Sequence, residues 1–461
     1  MDLLYRGRWN RRAERRRRGV SAIGTDAATA WSAGSVAESA TDAETEVASS
    51  KFEDLASVDP GPEGAIRLKA GASAIEEFFR QRYGREALYL PSNRFGLYLL
   101  FRNWLRPGDR LLMSPVDDDV VFFTVLAADL VPVIAPLDPR TGNIDPEAVP
   151  ESTWARLRGV LTTNLYGTPD RMEILDEQAR RHDLLLIEDA AHAFDSRVGG
   201  QRIGTYGRAS VFSLNKFIGI PGGVVTFAED RERDLLARRA LPELRRSPIF
   251  SRETPHRVGA LLSGAGYRPW LMTWLGRMYE RATPHQERRA GYRMRYTVAE
   301  VRQAQRAGGG LDAFDRWVRM DNLAFRAWPL AQSIRISHRR LQEFEGVRHL
   351  RIEGARKLLD LGYTPSQVRL PTDTALVRVP LFVRDREAAM ARLAEHRFRV
   401  GYIYDPPFDV YAPDLVERLP SPPEARIWSR DVLPVNPLLA DHFISLLKES
   451  PGLLEPLRDV D

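Results

Sequence analysis

The sequence predicts an α/β fold built on a buried, mostly parallel sheet, followed by a smaller α/β unit. Three observations carry this. Apolar runs of four to eight residues alternate with helical patterns from about residue 72, the signature of strands covered on both faces. Gly- and Pro-containing turns such as RPGD separate the runs. A second, shorter strand–helix–strand pattern begins near residue 370.

In order, AIEEFFRQRY reads as helix and ALYLP as a strand ending at Ser92. FGLYLLFRNWL is an amphipathic helix, RLLMSP a strand, VVFFTVLAADL a helix and VPVIAPL a strand. RGVLTTNLY, LLLIEDA, ASVFSL and GGVVTFA continue the strand series, with the helix RMEILDEQARRH before LLLIEDA. From about 229 to 345 the pattern is helical and arginine-rich, without a clear strand. TALVRVPLFV, REAAMARLAEH and VGYIY then read as strand, helix and strand. The domains expected are a disordered leader over 1–62, a large domain over 63–345 with a helical insertion at about 229–320, and a small domain over 346–461.

Composition narrows the function. The 461 residues include no cysteine, which excludes disulfides, thiolate catalysis and thiolate metal sites; no metal site is expected. No apolar run approaches the roughly 20 residues that span a bilayer, and the start lacks a secretory signal pattern. A cytoplasmic protein without a membrane partner is expected. The net charge of +5 suggests nucleic acid, but residues 1–18 alone carry +6 and the remaining 443 sum to −1. The basic character belongs to the tail, so no nucleic-acid partner is expected for the body.

Of 67 basic residues only five are lysine, and Lys216 is the single one between residues 70 and 356. A lysine kept where arginine is the habit needs a reason, and a deprotonatable amine is one. In open α/β sheets, ligands bind beyond the carboxyl ends of the strands. There the sequence places Ser92-Asn93-Arg94, Asn164, Asp189 and Ser213 through Lys216. Ser92-Asn93-Arg94 opens a helix and suits a phosphate; a capped helix start explains it equally. Asp189 is either a carboxylate awaiting a cation or a helix cap. Ser213 and Lys216 form an S-x-x-K, in which the hydroxyl can hold a phosphate oxygen and the amine can form a Schiff base with an aldehyde.

Four segments in order resemble the DegT/DnrJ/EryC1/StrS family of pyridoxal-phosphate (PLP) enzymes, sugar aminotransferases of fold type I. They are LPSNRFGLYLLFRNWLRPGDRLLMSP, VPVIAPLDPRTGNIDPEAV with GVLTTNLYGTPDRMEIL, IEDAAHAFDSRVGGQRIGTYGRASVFSLNKFIGIPGGVVTF, and LVRVPLFVRDREAAMARLAEHRFRVGYIYDPPF with PEARIWSRDVLPVNP. The resemblance implies PLP as cofactor, with Lys216 as its Schiff-base lysine and proton carrier. Asp189 would face the pyridine nitrogen and His192 the ring hydroxyl. Ser213, Asn93 and Arg94 would hold the phosphate, and Asn164 joins the cofactor shell. Tyr402 and Tyr404 border the substrate pocket in this reading; ordinary strand packing is the alternative. The implied reaction is amino transfer from an amino donor to a keto group of a nucleotide sugar or related intermediate, in a homodimer. Elimination or dehydration on an amino-acid-like substrate, or a catalytically silent dimeric module, are the alternatives.

The chain departs from the family at several points. Serine and lysine are closer together than usual, and Pro221 replaces the glutamate before the paired glycines. Where a threonine and a ring-stacking aromatic are expected after Pro115, the chain has Asp117-Asp118-Asp119, with Phe122 the nearest aromatic. The triplet either caps the next helix or meets a cationic substrate group. The family's asparagine–aromatic–arginine segment, which reaches the neighbouring subunit, best matches Ala324-Phe325-Arg326. Trp270, Trp274 and Met278 form an apolar stripe in the insertion, suited to core or dimer contact.

Overall fold

The computed structural model describes residues 62–245 and 293–457, except 321, 323, 397, 399 and 402, with side chains from residue 72 onward. The leader up to residue 61, the Trp270–Trp274–Met278 stripe and Tyr402 lie outside the described residues. Two units divide the chain, residues 1–70 and 71–461. Of the first, only 62–70 is described, and it is helical.

The second unit continues that helix, α1 (Pro62–Tyr83), into β1 (Glu86–Leu90) and α2 (Asn93–Trp104). There follow β2 (Arg110–Met113), α3 (Asp119–Ala127), β3 (Val131–Ile134), β4 (Gly159–Thr162), α4 (Met172–Arg181) and β5 (Leu185–Asp189). Next come β6 (Ala209–Ser213), α5 (Leu214–Ile218), β7 (Gly223–Phe227) and α6 (Asp230–Ala240). Each expected strand up to residue 228 is present. Together with β9 (Glu417–Arg418) they form one eight-stranded sheet in the order β1-β7-β6-β5-β4-β2-β3-β9. From β6 to β9 every pairing is parallel; β7 alone runs antiparallel to both its neighbours.

Successive strand residues feed opposite cores. Leu88, Val211, Ile187 and Val225 join α2 and α3 on one face; Tyr89, Phe212, Leu186 and Val224 join α1 and α4 on the other. Covering both faces is why the strands read as continuous apolar runs. Helix α3 is buried along its whole length, with Phe122 stacked on Phe408 at 4.7 Å and Phe123 on Trp317 at 5.1 Å. Phe122 therefore belongs to the core.

One carboxylate closes the loop between β5 and β6. Glu188, fully buried, accepts from the N–H groups of Gly204, Tyr206 and Gly207 and from the Ser210 hydroxyl, at 2.6–2.8 Å. Glu188→Ala would orphan three buried donors and one half-buried one and is expected to cost about 3–5 kcal/mol, read as a lower denaturant midpoint.

Beyond residue 293 the described chain is helical, as expected, through α7 (Val298–Arg306), α8 (Ala331–Gln342) and α9 (Phe344–Leu359). The C-terminal part adds β8 (Val379–Phe382), α10 (Arg386–Glu395), β10 (Val432–Val435) and α11 (Ala440–Glu449). These gather their own core around Leu381, Leu393, Leu433 and Phe443. One expectation fails: VGYIY forms no strand among its described residues. β8 pairs antiparallel with β10, and Pro380 stands opposite Pro434. Proline has no N–H to offer a third strand, and among the described residues of this segment only Gly401 bonds there, to the Pro434 carbonyl at 3.3 Å.

Candidate active site

The carboxyl ends of β1, β6, β5, β4 and β2 lie side by side, with Gly223 of the antiparallel β7 inserted between the first two. This edge gathers Asn93, Ser213, Asp189, Asn164 and Asp117 at adjacent positions. Sheet topology alone brings them together.

Ser92 caps α2: its Oγ accepts from the Phe95 N–H at 3.3 Å and donates to the Phe325 carbonyl at 2.6 Å. The N–H groups of Asn93 and Arg94, first in the helix, have no intrahelical acceptor. A Cβ on Gly223 would lie 2.5 Å from the Ser92 carbonyl carbon and 2.6 Å from the Asn93 nitrogen. Only glycine lets β7 pass this close to the helix start. Next to it the half-buried Ser213 caps no helix N–H, and its hydroxyl has no hydrogen bond among the described residues. The Arg94 guanidinium turns away, donating to the carbonyls of Val318 and Met320 at 2.7 and 2.6 Å.

Asp189 is held by one oxygen. Its Oδ1 accepts from Asn93 Nδ2 at 3.1 Å and from the Ala191 N–H at 2.9 Å, while Oδ2 accepts nothing among the described residues. Burial raises its pKa to about 6, against the lowering effect of these bonds and of the Lys216 charge. Lys216 itself is half-buried on the short helix α5. His192 is pushed well below its usual range by burial, then by Lys216 and Arg378. Its Nδ1 accepts from the Tyr166 N–H at 3.3 Å, which leaves the ring proton on Nε2. The neutral imidazole stacks on Tyr166, whose other neighbour is Tyr404, each at 6.1 Å.

Asn164 supports this edge with all its polar groups engaged inside the protein. It holds left-handed backbone (φ 49°), donates to Thr162 Oγ1 and the Asp189 carbonyl, and accepts from the Asp170 N–H. It positions the β4 and β5 ends and presents nothing outward. Arg326 likewise turns inward, to Asp312 and, at 3.6 Å, to Glu243. Its guanidinium is engaged within its own chain.

The acidic triplet divides its labour. Asp118 caps α3, accepting from the Val120 N–H at 3.0 Å. Asp119 pairs with Arg293 at 2.7 Å. Asp117 is buried at the β2 end, accepting from Thr163 Oγ1 at 3.1 Å and the Asp118 N–H at 2.6 Å. Burial and the Asp189 charge hold its carboxyl well above the usual range. Asp117 and Asp189 thus titrate as a pair.

The sequence left several participants unmarked. Arg351, almost fully buried, donates to the Lys216 carbonyl at 3.3 Å, and Arg378 acts on both Arg351 and His192. Arg293 is another. In an arginine-rich chain none stands out by type. Among the described residues no group of three or more His, Asp or Glu is placed to hold a metal ion, and no helix is long and apolar enough to cross a membrane.

The site therefore combines an amine, a carboxylate with one open oxygen, a neutral imidazole, and a hydroxyl beside a helix start. This set suits a phosphorylated, cationic ring bearing a carbonyl. Residues 97–241 match the profile of the DegT/DnrJ/EryC1/StrS aminotransferase family. Over this stretch the chain resembles that family. The chain is 36% identical over 130 residues to the L-glutamine:2-deoxy-scyllo-inosose aminotransferase of Streptomyces lividus. That match takes in 27% of this chain and 31% of the relative, so the chain aligns with about a third of the length of such relatives. The fold extends further than the identity. A DegT DnrJ EryC1 StrS aminotransferase from Brucella abortus superimposes with a TM-score of 0.56 over 88% of this chain and 95% of its own, at 16% identity. The E. coli GDP-4-keto-6-deoxy-D-mannose-3-dehydratase, solved with bound hydrated PLP, does so with a TM-score of 0.55 over 89% and 97%, at 15% identity.

Proposed function

We propose that this chain binds PLP at Lys216 and transfers an amino group to the keto carbon of a sugar or cyclic polyol. One observation carries the reading: the single lysine between residues 70 and 356 stands at a strand end where its charge acts on both Asp189 and His192. The acceptor class is supported by the Streptomyces lividus relative, named for a cyclic ketone.

When bound, the cofactor supplies an electron sink for the substrate carbon. The Ser213 hydroxyl and the first N–H groups of α2, brought close by the tight pass of β7 that Gly223 permits, would hold its phosphate. Asp189 would accept the ring N–H through Oδ2, its other oxygen fixed by Asn93 and Ala191. The Lys216 amine would carry the proton between the substrate carbon and the cofactor. His192, neutral, offers the N–H at Nε2 to an oxygen of the ring. A homodimer belongs to this reading on the resemblance, and a cytoplasmic setting on the composition of the sequence.

The test is direct. Purified protein with PLP is expected to show a visible band that borohydride fixes, with the label mapping to Lys216. An α-amino acid donor should then leave the cofactor in its amine form, and a keto-polyol should take up the nitrogen. A colourless protein that binds no PLP would overturn the reading. A colour change with no nitrogen transferred would favour elimination or dehydration instead.

A further inference from the structure

We propose that Arg293 is a positioning residue of the site, fixing the Pro115–Asp119 loop and the Tyr404–Phe408 segment as one piece. Its side chain is 4% exposed. Nε donates to the Pro406 carbonyl at 2.7 Å, and Nη1 to the Asp117 carbonyl at 2.6 Å and Asp119 Oδ1 at 2.7 Å. Nη2 reaches the Pro115 carbonyl at 3.2 Å and that of Tyr404 at 3.4 Å. The guanidinium carbon lies 4.0 Å from the centre of the Phe408 ring, and the Met294 N–H donates to the second Asp119 oxygen.

The two segments are almost three hundred residues apart in sequence and poor in donors. Pro115, Pro406 and Pro407 have no N–H, so their carbonyls cannot be joined by a strand ladder. The Phe408 N–H reaches the Pro115 carbonyl at 3.0 Å, and the guanidinium supplies the other links. A planar fork of donors meets this demand; the point charge of a lysine does not. Asp119, 1% exposed, gains the cation that its burial requires.

Both flanks of the site depend on these segments. On one, the Asp117 carboxyl lies close enough to Asp189 for their charges to interact. On the other, Tyr404 stacks on Tyr166, which stacks on His192 and donates its N–H to that ring. One guanidinium thus sets the position of the groups on either side of Asp189 and His192.

The kinetic part of this inference rests on the amino-transfer reading; the structural part does not. Arg293→Lys is expected to load PLP yet lose about a hundredfold in kcat/KM, mostly in kcat, as misplacement of site groups by about 1 Å would cause. Amide hydrogen exchange in the cofactor-free variant should rise together at 116–120 and 403–411. Added guanidinium should restore part of the activity of Arg293→Ala and slow exchange in both segments. Exchange that rises only around residue 293, or kcat/KM within twofold of wild type, would overturn the proposal. If the lysine variant fails to fold, Asp119→Asn replaces it: a smaller paired rise in exchange supports the proposal, and an unchanged pattern overturns it. Should the wild type bind no PLP, the functional reading falls while the exchange experiment still decides this one.

Discussion

Replacing Lys216 by alanine is expected to abolish borohydride-stable attachment of PLP and to lower amino transfer roughly 10⁴-fold. The fold should survive. The main-chain carbonyl at this position accepts from Arg351 at 3.3 Å, a bond still present in the alanine variant. Alanine is also a good helix former for α5. The cofactor-free thermal midpoint should therefore stay within a few degrees of wild type. Lys216→Arg separates charge from chemistry. It keeps the positive charge felt by Asp189 and His192 but has no deprotonatable amine. The arginine variant is expected to be as inactive as the alanine one. Substantial activity in it would mean that the lysine serves only as a charge.

Asp189→Asn is expected to cost about 10²–10³ in kcat/KM and to weaken PLP binding. The asparagine can still accept from Asn93 and Ala191 through its oxygen, so the local geometry is retained. What it turns toward the open side is an N–H₂, where a cationic ring N–H needs an acceptor. The pH dependence gives a second readout. Burial pushes the Asp189 carboxyl up to about 6 in the free protein. Below that pH the carboxyl is protonated and its attraction for the ring N–H is lost, so wild-type affinity should fall between pH 7.5 and pH 5. The asparagine variant lacks this carboxyl, and Asp117 is common to both proteins. Fluorescence titration of both proteins isolates the difference, since the phosphate's own ionisation is common to the two. Parallel curves would show that Asp189 does not face the ring.

How much of this was legible in the sequence depends on the kind of signal. Strands β1 to β7 were legible because burial on both faces makes them apolar runs, and a strand's end can be read from the last apolar residue. That rule placed Asp189, Ser213 and Asn93 along one edge before any geometry was known. Lys216 was legible through rarity. VGYIY was not, because its failure to pair is caused by Pro434, a residue on another strand thirty positions away. The same holds for Arg94 and Arg326, whose partners are main-chain carbonyls at 318 and 320 and the acids Glu243 and Asp312. A side chain's residue type states what it can bind, and only the fold states which partner is nearer. Arg293 shows the converse: its five donors meet four carbonyls and one carboxylate, and a carbonyl carries no residue identity at all.

The facing prolines of β8 and β10 have a consequence for life in a crowded solution. A two-stranded ribbon presents two free edges, each a template on which a strand from another molecule could polymerise. Here Pro380 and Pro434 leave a gap in the donor row of both edges at the same level. The remaining outward groups of β8 are covered at one end by the chain's own Leu457 and Pro456, which meet Phe382 and Val383. The ribbon that carries the C-terminal core is thereby protected from cross-β growth. Pro434→Val is expected to leave the pairing with β8 intact, because residue 434 is buried and its outward carbonyl already accepts from Gly401.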